Sequence, residues 1–154
     1  MVAYKIAESE TDYKSAKSLF LEYADSLNFG LCFQNFEKEI SDLSAMYSLP
    51  DGCIILSCEN NKPFGCVALR KFEDGICEMK RLYIPKSYRG KGIGRELAVR
   101  IINKAKHLGY KKMRLDTLET MKEAISLYKA LGFCEIPKYR ENPIKEVVYM
   151  EIKL

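Results

Sequence analysis

The run from Tyr88 to Glu96, YRGKGIGRE, constrains this chain more than any other stretch. Gly90, Gly92 and Gly94 stand at alternate positions between Arg89 and the long amphipathic stretch that follows. With no side chains over the turn, the backbone bends tightly and presents successive N–H groups. Together with the positive end of the following helix, these make a cradle for phosphate oxygens, which reads as a pyrophosphate site. The flanking pattern, a strand before and a helix after, supplies the context such a cradle needs.

Two familiar phosphate loops fit the spacing poorly. A Walker loop needs a Ser or Thr after its lysine to hold magnesium, and Lys91 is followed by Gly92. A dinucleotide fingerprint needs G-x-G-x-x-G in the first βα unit, with an acidic residue about 20 positions on. Asp116 answers loosely to that acid, but the glycines run G-x-G-x-G and most of the strands precede them.

The rest of the chain falls into short alternating and helical segments. Ala3 to Glu8 reads as a strand, and Thr11 and Asp12 offer capping chemistry for a helix carrying Tyr13, Ala16, Leu19, Phe20, Tyr23 and Leu27, ended by Asn28 and Gly30. A second helix is expected from about Asn35 to Tyr47, before Pro50. Cys53 to Cys58, Gly65 to Phe72 and Ile76 to Ile84 read as a three-stranded meander turning at ENNKP and at Asp74-Gly75. After the glycine loop, Ile93, Leu97, Ile101, Ala105 and Leu108 mark a helix capped by Gly109. Lys112 to Thr117 follows as a strand parallel to the one before that helix. Thr120 and Glu123 suggest a capping box for a helix carrying Ala124, Leu127, Tyr128 and Leu131, and Cys134 to Pro137 and Val147 to Leu154 close the sheet.

At 154 residues one domain, 1–154, is expected. The net charge of +4, from 25 basic and 21 acidic residues, is too small and too dispersed to argue for nucleic acid, though it suits an anionic ligand. No apolar run approaches the ~18 residues of a membrane span, and MVAYKIAESE has no signal-peptide core, so the expectation is a cytoplasmic protein without a membrane partner. The 6 cysteines include no C-x-x-C pair and there is 1 histidine, so no metal is expected and buried free thiols are the favoured reading.

With LYIP before the loop, R-G-x-G-I-G in it and AISLYKALGF after it, the stretch from Glu78 to Phe133 resembles the GCN5-related N-acetyltransferases. That resemblance implies an α/β (α+β) fold: a mixed central sheet of six to seven strands, mostly antiparallel with a diverging parallel pair, flanked by about four helices. It implies an acetyl-CoA-dependent N-acetyltransferase that transfers acetyl directly to a primary amine, here of a small molecule such as an amino acid or related metabolite, and it leaves room for a homodimer. A peptide or protein amine, or a non-catalytic acyl-CoA sensor, is the alternative, with a dinucleotide oxidoreductase as a third class.

The resemblance also assigns residues. Leu82, Tyr83 and Ile84 would contact the pantetheine and thioester through main-chain groups, with a bulge near Leu82 freeing an N–H. Arg89, Gly90, Lys91, Gly92, Ile93, Gly94 and Arg95 would hold the pyrophosphate. Tyr128 would give a proton to the departing thiolate and touch the coenzyme; the alternative is that it only continues the apolar stripe of its helix. Glu78 would be the base that takes the amine proton, or else an ion-paired strand residue, with Lys80 as a candidate partner. Arg81, Tyr139 and Arg140 are candidates for the acceptor side, where an arginine fork suits a carboxylate. Met121 stands where the family often has an asparagine. Plain alternation puts Glu78, Lys80 and Leu82 on one face of their strand and Met79, Arg81 and Tyr83 on the other, an order that a bulge would break.

Overall fold

The computed structural model describes residues 1–27, 36–142 and 144–154. Asn28, Gly30, Cys32, Asn35 and Pro143 lie outside them. Among the described residues seven strands form one sheet: β1 (Val2–Ile6), β2 (Cys53–Glu59), β3 (Lys62–Glu73), β4 (Ile76–Tyr83), β5 (Lys112–Leu118), β6 (Cys134–Ile136) and β7 (Val147–Lys153). Their spatial order is β1-β2-β3-β4-β5-β7-β6, and every neighbouring pair is antiparallel except β4 and β5. Among the described residues five α-helices accompany them: α1 (Glu10–Ser26), α2 (Phe36–Ser41), α3 (Leu43–Met46), α4 (Ile93–His107) and α5 (Lys122–Leu131).

Each face of the sheet buries its own core. On one, α4 sets Ile93, Leu97, Ala98, Ile101, Ile102 and Ala105 against Ile55, Val67, Leu69, Cys77, Met79 and Met113. On the other, Ala16, Leu19 and Phe20 of α1, with Phe36, Leu43 and Tyr47, cover Ile54, Leu56, Cys66 and Ala68. Burying one such aliphatic side chain is worth about 1.5–3 kcal/mol, so Leu97, fully buried, anchors α4 to the sheet. The helix is thereby fixed with its N-terminus at the glycine loop.

Several boundaries differ from the sequence reading, each for a local reason. Ser9, not Thr11, caps α1: its hydroxyl accepts from the Asp12 amide and the Asp12 carboxylate receives the Ser9 amide, a complete capping box. The second helix is two, because Asp42 caps a new turn through the Ala45 amide. α5 starts after Met121 with no side-chain cap, so Thr120 and Glu123 do not form the expected box. β3 runs through Pro63, which sits at a register shift opposite Cys58, where a missing N–H is tolerated. Four cysteines, Cys53, Cys58, Cys66 and Cys77, are buried free thiols, while Cys134 is exposed.

Candidate active site

β4 carries most of the polar chemistry, and its bulge decides where that chemistry points. Cys66 of β3 pairs with Tyr83 and Ala68 with Lys80, so two steps along β3 match three along β4. The extra residue is accommodated by Arg81, whose φ of 58° lies in the left-handed region. Arg81 therefore leaves the face of Cys77 and Met79 and joins Glu78 and Lys80 on the α1–α3 side. Leu82 turns instead toward the α4 core. Plain alternation had the opposite assignment for both residues.

Arg81 is held by a bidentate pair with Glu39 of α2, Nε to Oε2 at 3.0 Å and Nη2 to Oε1 at 2.8 Å, and its guanidinium lies 5.4 Å from the Phe36 ring centre. Both charges are almost fully buried. A second charge cluster surrounds Glu78, whose side chain is 0% exposed. Its Oε1 accepts from Arg70 Nε at 3.1 Å, and its Oε2 accepts from the Tyr139 hydroxyl at 2.8 Å and from Arg140 Nη2. Burial raises the Glu78 pKa, but the charges of Lys80, Arg140 and Arg70 and the Tyr139 hydroxyl more than offset it, leaving the carboxyl below its ordinary value. Glu78, Arg70 and Arg140 line a cleft of about 490 Å³ that also reaches Met46 and Pro50.

The parallel pair supplies the slot. β4 and β5 pair from Ile76↔Lys112 to Glu78↔Arg114 and then separate. Leu82 consequently has no ladder partner on β5, and the bulge leaves it none on β3. Beyond the splay runs a cleft of about 630 Å³ lined by Leu82, Tyr83, Ile84, Arg89, Gly90, Gly92, Ile93, Gly94 and Arg95. Lys91 does not line it; its ammonium sits 5.6 Å from the Tyr88 ring centre. At the inner end, Tyr23, Leu82, Met121 and Ala124 are shared with a recessed cavity of about 80 Å³, and there Tyr128 lies, beside Lys80, Arg81 and Asp116. Tyr128 and Glu78 thus line different spaces.

The loop itself fits a diphosphate. None of the amides from Gly90 to Arg95 donates to an acceptor among the described residues; Glu96 is the first to close a helical bond, onto the Gly92 carbonyl. Arg89 is the exception within the expected set, since its amide donates to Lys86 and its Nε to the Ile84 carbonyl at 2.9 Å. Its side chain ties the loop to the end of β4. Gly90 and Gly92 adopt φ of 82° and 78°, which is what a glycine is needed for here, because a Cβ on either would meet nothing within 4 Å.

Burial drives the Tyr128 pKa well above the usual phenol value, with the nearby Tyr23 and Asp116 adding to the effect. The phenol therefore keeps its proton at any physiological pH. Asp116 and Glu39 were not assigned to the site from sequence. Glu39 gave no local signal, being 42 residues from its partner, and Asp116 was weighed only as a dinucleotide acid.

The sequence profile of the acetyltransferase (GNAT) family matches residues 16–133. An N-acetyltransferase of Schizosaccharomyces pombe described as uncharacterized is 38% identical, the match covering 99% of this chain and 93% of that one. The crystal structure of an acetyltransferase from Streptococcus agalactiae superposes with a TM-score of 0.82 at 22% identity, covering 99% of this chain and 98% of the other. A Salmonella typhimurium protein described as a putative acetyltransferase, solved with its cofactor acetyl-CoA, superposes at 0.70 with 18% identity, covering 99% and 94%. The chain belongs to the acetyltransferase (GNAT) family. It is by that membership an N-acetyltransferase.

Proposed function

We propose that this enzyme transfers an acetyl group from acetyl-CoA directly to the primary amine of a small molecule, an amino acid or related metabolite. The observation that carries the small acceptor is the recessed cavity beside Tyr128. Its volume of about 80 Å³ gives room for about five to eight water-sized groups, taking ~10–15 Å³ per group. That suits the head of an amino acid better than a length of peptide.

Acetyl-CoA supplies the activated thioester when bound. The open amides of Gly90 to Arg95, at the N-terminus of α4, are suited to its pyrophosphate. The unladdered Leu82 amide is suited to hold the thioester oxygen as negative charge develops there. Tyr128, a phenol that burial keeps protonated, is suited to give its proton to the departing thiolate. The amine nitrogen joins the acetyl carbon and the C–S bond breaks; Tyr128 gives one proton to sulfur, and the proton released from the nitrogen passes to water, from which Tyr128 is reprotonated. Glu78 is better suited to organising Arg70, Tyr139 and Arg140 than to receiving that proton, because both its oxygens are engaged and its proton affinity is lowered. A covalent route through Cys53 or Cys77 is disfavoured, since burial pushes Cys53 to about 11 and Cys77 to about 12.

The test is thiol release from acetyl-CoA, followed with a thiol reagent across amino acids, polyamines, aminoglycosides and peptides. Release stimulated by a small amine is expected. Release stimulated only by peptides would overturn the small-molecule reading.

A further inference from the structure

Two groups of opposite sign on the wall of the recessed cavity have hydrogen-bonding capacity that no described residue fills. Lys80 is 4% exposed, lines that cavity, and makes no hydrogen bond or ion pair with any described residue. Asp116 lines it too, and its Oδ2 is buried without a hydrogen-bond partner. The last paired residues of the parallel strands are Glu78 and Arg114, and two residues further along each strand come Lys80 and Asp116. They therefore lie on the same face of the sheet, on either side of the opening between β4 and β5.

The surrounding charges are already committed. Arg81 is engaged with Glu39, and Glu78 with Arg70, Tyr139 and Arg140. The phenols of Tyr23 and Tyr128 face the same space and are neutral. Burial, and then the Arg81 charge, lower the Lys80 pKa to about 8 against the opposing pull of Asp116 and Glu78. At neutral pH the side chain is still mainly an ammonium. A carboxylate oxygen buried without a hydrogen bond is costly, and an ammonium on the wall of the same cavity leaves donors that a ligand can engage.

We propose that Lys80 and Asp116 form a zwitterion-binding subsite, in which the Lys80 ammonium receives the α-carboxylate of a free amino acid and Asp116 accepts a hydrogen bond from its α-amine. This rests on the small-molecule reading above and narrows it. The acceptor class is amines that carry a carboxylate on the adjacent carbon. Because the cavity shares Leu82 with the cleft of the glycine loop, an amine held in it is within reach of an acetyl group delivered from that cleft.

The experiment compares the proteinogenic L-amino acids with their α-amides, at matched concentration, as acceptors for the full-length enzyme. The amides keep the amine and lose the carboxylate charge. The wild type is expected to use the best acid about 10- to 100-fold more efficiently in kcat/KM than its amide, the range for a lost charge-assisted contact. Lys80→Met is expected to remove that preference by slowing the acid alone. Asp116→Asn is expected to raise KM for both. Equal use of acids and amides by the wild type overturns the subsite without any variant, as does a Lys80→Met enzyme that slows both alike. Turnover of polyamines alone overturns the subsite but leaves the proposed small-amine activity standing. No turnover with any amine class overturns that activity and the subsite with it.

Discussion

Replacing Glu39 with Ala removes one half of the ion pair that fixes the β4 bulge. The side chains of Arg81 and Glu39 are 4% and 1% exposed, so solvent does little to screen the charge left behind. Breaking a buried pair in this way costs about 3–5 kcal/mol, because a buried guanidinium loses its bidentate carboxylate. For a chain of this length that is about 6–20 °C in Tm, at ~2–4 °C per kcal/mol. Two further consequences separate this account from simple loss of packing. A Glu39→Met/Arg81→Met double variant, which removes both charges of the pair, should recover most of the loss. Arg81 is also the residue at positive φ, so freeing it should disturb the Leu82 amide and lower kcat even where the protein remains folded. Thermal unfolding monitored by circular dichroism, with urea titration for the free energy, gives the magnitude. A Glu39→Ala protein within about 1 kcal/mol of wild type would refute the reasoning, since a buried, unscreened guanidinium cannot lose its carboxylate so cheaply.

Other consequences follow from the same geometry. Tyr128→Phe should lower kcat by about 10²-fold or more with little change in acetyl-CoA affinity, read from steady-state rates and calorimetry; unchanged kcat removes Tyr128 from the chemistry. Gly92→Val should weaken acetyl-CoA binding in calorimetry, because a β-branched residue resists the φ of 78° that shapes the loop; equal affinity would count against the cradle. Glu78 has a lowered pKa in the folded state, so its stabilising contribution is present above the unfolded carboxyl value of ~4.3 and is lost as pH falls through the folded value. The Tm gap between wild type and Glu78→Gln should therefore narrow on acidification from neutral pH, and a gap independent of pH would contradict the assignment.

The sheet and the glycine loop were readable because their signals are local. Alternation from Cys53 to Ile84, the Asp74-Gly75 turn and the 3.6-residue stripe of α4 each depend on neighbours a few positions apart. So did the free loop amides, which follow from where glycines stand relative to the start of α4. The charge network was not readable, because its partners are distant: Arg140 reaches Glu78 across 62 residues and Glu39 reaches Arg81 across 42. The facing of Arg81 depended on a bulge whose position only the pairing of Cys66 with Tyr83 reveals. Capping failed at Thr11 and Thr120 for a related reason. Ser9 and Thr11 offer similar chemistry, and the choice between them is made by where Asp12 can reach back.

The most direct measurement is a crystal structure of the enzyme with acetyl-CoA. The pyrophosphate oxygens are expected within hydrogen-bonding distance of amides between Gly90 and Arg95, and the thioester between the Leu82 amide and the Tyr128 hydroxyl. A diphosphate bound elsewhere, with those amides left facing water, would contradict that expectation.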